Sequence, residues 1–229
     1  MKETELAKPV VQWLTDQHWD VYQEVQFNYG GGIADILAVK NNIMWIIETK
    51  TSMTFTVLEQ ASKWLSHYRS IAIPSAKRDT GRKFSYLLAD KVNVGIIEVN
   101  TRTFNGSYLV TEIEPAKLMR EHNEYCRKFM FPKLREEHKT FAEAGNNHGN
   151  RYTPYQGTIN QVRNYIQKNP GCTIKEIFDE LGRCHYSNTQ SAKGSVLSAL
   201  QTFESSWCET VRDEKQFRFY IKDKSNGWV

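Results

Sequence analysis

Three ionic residues interrupt a stretch that is otherwise apolar. From Gly32 to Thr51 the chain reads GIADILAVKNNIMWIIETKT, with Asp35 in its first apolar run and Glu48 and Lys50 at the end of its second. Charge inside a buried strand is costly unless it is paired or holds a metal. The runs Ile36–Val39 and Ile43–Ile47 flank Lys40-Asn41-Asn42, which predicts a β-hairpin buried on both faces. Side chains alternate along a strand, so Glu48 and Lys50 are expected to point the same way. If the hairpin brings Asp35 beside Glu48, two carboxylates and an ammonium converge at one edge of the sheet. That is the chemistry of a divalent metal site with a catalytic lysine next to it. Any one of the three would serve equally as a strand end reaching solvent, and Asp35 as a turn cap. All three together, at these offsets, are far less expected by chance.

Asp35, a spacer of twelve residues, then Glu48-Thr49-Lys50 resembles the signature of the PD-(D/E)xK, or restriction-endonuclease-like, nuclease superfamily. Ala34 stands where the name has proline, a departure that many members share. The resemblance runs from about Glu5 to about Asn100, less than half of the chain. It implies an α/β core, a mixed sheet flanked by helices, with Asp35, Glu48 and the Thr49 carbonyl as ligands to Mg²⁺ or Mn²⁺. It also implies Lys50 as the residue that orients or activates water. A glutamate on the first helix often completes the site in this family, and Glu5 matches that position. Glu24 is the other candidate.

The elements that must position these residues read in order. Thr4–Gln17 has Leu6, Val10, Val11 and Leu14 at helical spacing, and Trp19–Phe27 alternates as a strand. Glu5 in the first helical turn would also suit the helix dipole. Three glycines at 30–32 make a turn or a loop close to DNA. Thr54–Arg69 reads as an amphipathic helix, in which Gln60 and Trp64 resemble the family's Gln-x-x-x-aromatic element, its glutamine approaching the active site. Read alone, Gln60 is a surface residue. Ser70–Pro74 is a strand, and Ser75–Lys83 is a basic loop whose Lys77, Arg78, Arg82 and Lys83 would hold phosphates beside a nuclease cleft. Helix Phe84–Lys91, strand Val94–Asn100 and edge strand Tyr108–Ile113 complete the core. Glu114–Thr140 reads as a helical segment kinked or interrupted at Pro132, open to packing on the core, joining the domains or forming a homodimer contact. Phe141–Tyr155 reads as a linker.

The remaining chain follows another plan. Helices are expected at Thr158–Lys168, Thr173–Leu181 and Thr189–Glu204, then strands at Glu209–Val211 and Gln216–Ile221. Three helices and a hairpin resemble a winged helix-turn-helix domain, a smaller α+β unit. By that resemblance Asn188, Gln190, Ser191 and Lys193 face DNA, with Arg212, Lys215 and Arg218 on or near the wing. Many winged helices bind protein instead, so a protein partner stays open. The expected division is a nuclease core over 1–115, a helical extension and linker over 116–156, and the winged helix over 157–229.

Composition bounds the rest. The 229 residues suffice for two domains with cores, and the net charge is only +4. Basic residues exceed acidic ones by 19 to 18 through residue 150 and by 11 to 8 beyond it, so DNA affinity must come from local patches. Cys126, Cys172, Cys184 and Cys208 lack C-x-x-C spacing, which favours reduced thiols in a cytoplasm, that of a prokaryote or a phage-infected cell. No apolar run approaches the about 20 residues of a membrane span, and no signal peptide is visible. The expected function is a metal-dependent DNA endonuclease, with cutting in the first domain and targeting in the second. A DNA-binding or regulatory protein with a nuclease-like core is the alternative, and nucleoid association is compatible with either.

Overall fold

Helix α1 (Glu3–Asp16) leads into strands β1 (Asp20–Gln26), β2 (Ile33–Lys40) and β3 (Ile43–Thr49). Then come α2 (Phe55–Ser62), β4 (Tyr68–Pro74), α3 (Arg82–Lys91), β5 (Gly95–Phe104) and β6 (Ser107–Glu114). This computed structural model describes residues 2–27, 32–75, 82–104, 107–145, 152–213 and 216–222. The chain divides into two units, Met1–Tyr152 and Thr153–Val229.

In the first unit the six strands form one mixed sheet in sequence order. β1, β2 and β3 pair antiparallel, β3-β4 and β4-β5 parallel, and β5-β6 antiparallel. Both faces are covered, as the continuous apolar runs of β2 to β4 require. Leu6, Val10 and Leu14 of α1 pack on Ile36, Trp45, Ile47, Ala72 and Ile97. Across the sheet, Val57, Leu58 and Ala61 of α2 and Ala89 of α3 pack on Ile71, Ile73 and Ile96. The hairpin turn lies at Asn41-Asn42, both with positive φ (52° and 62°), a conformation asparagine tolerates better than most residues.

Two expectations about this unit are corrected. The helix expected to run to Arg69 stops at Ser62. Its polypeptide is claimed by the sheet: His67 Nδ1 accepts the Met44 N–H at 3.1 Å, and Tyr68 already belongs to β4. Arg69, 7% exposed, then turns its guanidinium onto the carbonyls of Ser62, Trp64, Val92 and Asn93. One buried cation thereby caps the C-terminal ends of two connections. Second, Glu114–Thr140 is helical over less of its length than expected: a continuous run from Arg120 breaks just past Pro132, where Leu134 is extended. Its pitch changes along the way, from a 3-10 turn at Arg120–His122 through α4 (Asn123–Tyr125) and a π turn at Cys126–Met130 to a 3-10 turn at Phe131–Lys133, and a separate 3-10 turn follows at Glu136–Lys139. Burial of Cys126 and Met130 against Leu37, Met44 and Ile46 bends it along the sheet. Residues 116–152, expected to be extension and linker, belong to the first unit, where Ala144 enters the α1 core.

The second unit contains α5 (Pro154–Lys168), β7 (Cys172–Thr173), α6 (Ile174–Leu181), α7 (Thr189–Gln201), β8 (Cys208–Asp213) and β9 (Gln216–Ile221). Its sheet order is β7-β9-β8, all antiparallel. Thr153, Thr173 and Asn188 cap the three helices with their side chains. Val162, Ile166, Ile177, Phe178, Val196 and Phe219 form the core. α7 is shorter than expected, ending at Gln201, and Phe203 beyond it is 83% exposed. The four cysteines are free thiols. Among the described residues no helix is long and apolar enough to cross a membrane.

Replacing Arg69 by leucine strands four carbonyls at once. The expected loss is about 3 kcal/mol, read as a lower denaturation midpoint in urea. A midpoint within error of wild type would show that this cap does not hold the two connections.

Candidate active site

The β2–β3 register pairs Ile36 with Ile47, and one further step sets Asp35 opposite Glu48. The last residue of β3 reaches back: Thr49 donates its backbone N–H to Asp35 Oδ2 at 2.8 Å and its hydroxyl to the same oxygen at 3.0 Å. Lys50 lies just past the strand, freed from its alternation. Its ammonium sits 3.4 Å from Asp35 Oδ2 and 3.4 Å from Glu3 Oε2. Glu48, 6% exposed, accepts the Trp64 indole N–H on Oε1 at 2.7 Å. Lys50 therefore pairs with Asp35 and Glu3, while Trp64 fastens Glu48.

The electrostatics follow from burial. Glu48 is pushed up to about 8, first by desolvation, then by the Asp35 charge, with Glu24 adding to it. The Trp64 hydrogen bond and Lys50 pull it partly back. Burial by itself draws the Lys50 ammonium down, but Asp35, Glu3 and Glu48 outweigh it and hold the lysine above its ordinary value. The site thus carries more negative charge than one ammonium offsets. Among the described residues the hydrogen bonds to Asp35 fall on Oδ2 and the one to Glu48 on Oε1, so Asp35 Oδ1 and Glu48 Oε2 take none there. These are hard oxygen donors, the kind that Mg²⁺ and Mn²⁺ prefer. Among the described residues no group of three or more His, Cys, Asp or Glu is arranged to hold a metal ion. The site brings together two carboxylates, a set that would suit only an ion retaining several waters.

The expected third carboxylate is not where Glu5 lies. Glu5 accepts the Lys2 N–H at 2.9 Å, which closes the N-terminus of α1. Glu3, two residues earlier, is the one that meets Lys50. Successive helical residues turn by about 100°, so Glu3 falls on the stripe of Leu6, Val10 and Leu14 that faces the core, whereas Glu5 points to the exposed side. Glu24 is 6% exposed, with φ +53° where β1 runs opposite Asp35, and its Oε1 accepts the Gly145 N–H at 2.8 Å. Gln60 is exposed on α2, and its aromatic companion Trp64 makes the contact with the site instead.

The candidate phosphate contacts divide. Lys77, Arg78 and Lys215 lie outside the described residues. Arg82 binds Glu98 at 3.0 Å and the Pro74 carbonyl at 2.9 Å, and Tyr86 donates to the same Glu98 oxygen, so Arg82 secures α3 to β5. Lys83 is exposed on α3. In the second unit Asn188 caps α7 by accepting the Ser191 N–H at 2.7 Å. Lys193 pairs with Asp179 at 3.3 Å, and Arg218 with Asp213 at 2.7 Å and the Gly171 carbonyl at 3.0 Å. Gln190, Ser191 and Arg212 are exposed.

A carboxyl raised on folding contributes its full stability below its ordinary value of 4.5, and loses it as pH climbs toward about 8. In EDTA, wild type should therefore lose thermal stability relative to Glu48→Gln between about pH 5 and about pH 8.5. The glutamine variant should melt higher by at least about 3 °C at the alkaline end. Parallel melting curves across that range would show that Glu48 ionises normally.

No protein-family model matches this chain, and no curated protein matches it. Among solved structures it is similar to SPO1766, a protein of unknown function from Silicibacter pomeroyi, at 18% identity and a TM-score of 0.34, over 54% of this chain and 80% of that one.

Proposed function

We propose that this chain is a metal-dependent DNA endonuclease with a restriction-endonuclease-like core, targeted by a C-terminal winged helix. The observation that carries the reading is the juxtaposition of Asp35 and buried Glu48 across the β2–β3 hairpin, with the Lys50 ammonium 3.4 Å from Asp35.

Asp35 and Glu48, with the Thr49 carbonyl, would hold Mg²⁺ or Mn²⁺. Bound there, such an ion lowers the pKa of a water and withdraws charge from the scissile phosphate. Lys50 keeps its proton among three acidic neighbours, so it stabilises the developing phosphate charge rather than acting as a base. Glu3 is a positioning residue: it holds Lys50 charged and in place from α1. Trp64 fixes the Glu48 rotamer from the segment after α2. In the second unit, three helices and the β7-β9-β8 sheet support a winged helix. Gln190 and Ser191 at the start of α7 and Arg212 on β8 are its exposed polar contacts for DNA.

Asp35→Ala and Lys50→Ala should each lower cleavage of supercoiled DNA in Mg²⁺ or Mn²⁺ by about 100-fold or more while leaving a gel shift intact. Wild-type cutting by both purified variants would remove the site, and shifted but uncut DNA with the wild type would leave a non-cutting DNA-binding protein. The acidic residues of α1 separate in a second test. Glu3→Gln should slow cleavage by about 10-fold. Glu5→Ala should cost only about 1 kcal/mol of stability through the lost cap. A larger loss of cutting in the Glu5 variant would return the third-carboxylate role to that residue.

A further inference from the structure

Trp64 has a second surface. The indole that donates to Glu48 also lines a cavity of about 390 Å³ in the first unit, within the range of small-ligand pockets. Its walls are aromatic. Phe27 meets Trp64 edge to face with centroids 5.9 Å apart, and Tyr125 and Phe129 form a tilted pair at 5.2 Å. Tyr125 and Phe129 are 37% and 54% exposed, so large rings face outward where the fold gains little from them. Lys63 and Lys133 complete the lining with Gly32, Leu65 and Met130, and among the described residues no acidic side chain lines it. Lys63 reaches Glu59 only in an exposed pair along α2, and such pairs hold little energy. Lys133 is anchored by donating to the Phe27 carbonyl, which sets its stem against the aromatic wall.

We propose that this cavity is a nucleobase subsite that takes one unpaired base of a nucleic-acid substrate. Flat aromatic faces offer stacking to any base, and two lysines at the lining attract the phosphate that the base carries. A base stacked in duplex DNA cannot enter such a pocket, so occupancy requires a single-stranded, looped or extruded nucleotide. Through Trp64 the seated base lies one side chain from Glu48, which sets the favoured substrate as DNA that is locally unpaired beside the cut. The inference rests on the nucleic-acid part of the reading above.

The test uses the full chain and oligonucleotides with 2-aminopurine either in an unpaired loop or in a full duplex. Binding is followed by fluorescence in EDTA, and cleavage of the same substrates is measured separately in Mg²⁺. The looped base should be quenched and bound about 10-fold more tightly than the duplex. Phe129→Ala and Tyr125→Ala should each lose about 10-fold of that affinity, whereas Leu87→Ala, an exposed residue on α3 outside the cavity, should keep it. Melting temperatures establish that each variant is folded. Equal affinity for loop and duplex, or wild-type binding of the loop by both aromatic variants, overturns the subsite. Cutting by wild type alongside that result rejects the cavity alone. Selective base binding without cutting in any metal upholds the subsite and rejects the nuclease.

Discussion

A carboxyl group shut away from water beside a second carboxylate is the constraint around which the first unit is arranged. The apolar runs of β2 and β3 bury Glu48, and the hairpin register sets Asp35 across from it. The tight turn at Asn41-Asn42 and the β2–β3 ladder fix the register that sets the two acids across from each other. What surrounds them reads as an answer to that enforced proximity. Thr49 gives Asp35 two hydrogen bonds, Lys50 brings a positive charge, and Trp64 holds one Glu48 oxygen. These donors offset part of the cost, and Glu48 still titrates above a free glutamate, first because it is buried and second because Asp35 repels its charge.

Cations elsewhere are spent on architecture. Arg69 holds carbonyls at the ends of two connections, and Arg82 ties α3 to β5 through Glu98. Lys193 and Arg218 have acidic partners within the second unit. A basic residue in a sequence announces charge but says nothing of where its partner lies. The mild net charge of +4 fits this pattern of internal use.

Much of the fold was legible because periodicity reports burial directly. The hairpin, the flanking helices and the three-helix plan of the second unit all follow from apolar spacing and capping residues such as Thr173 with Glu176. The juxtaposition of Asp35 and Glu48 was equally readable, since one turn at Asn41-Asn42 sets the register. What escaped was decided by distant contacts. Helix α2 ends early because His67 and Arg69 bind partners in the sheet and beyond it. The 114–140 segment follows the shape of the surface that it covers rather than its own propensity. The choice of Glu3 over Glu5 was open to the sequence, because Glu3 lies three residues before Leu6 on the apolar stripe of α1 and Glu5 lies off it.

Gly145 crosses the start of α1 so closely that a β-carbon there would lie 2.7 Å from the Glu3 carbonyl carbon, and its φ of +77° suits glycine alone. Its N–H also reaches Glu24, a residue made 121 positions earlier. The far end of the first unit is thus clasped onto its beginning. During synthesis, all six strands leave the ribosome before this clasp exists. A nascent chain released through β6 already contains Asp35, Glu48 and Lys50, yet the backbone donor to Glu24 arrives last. The acidic corner is therefore finished at the end of the unit's translation, which delays the site's final form until the sheet that shields it is complete.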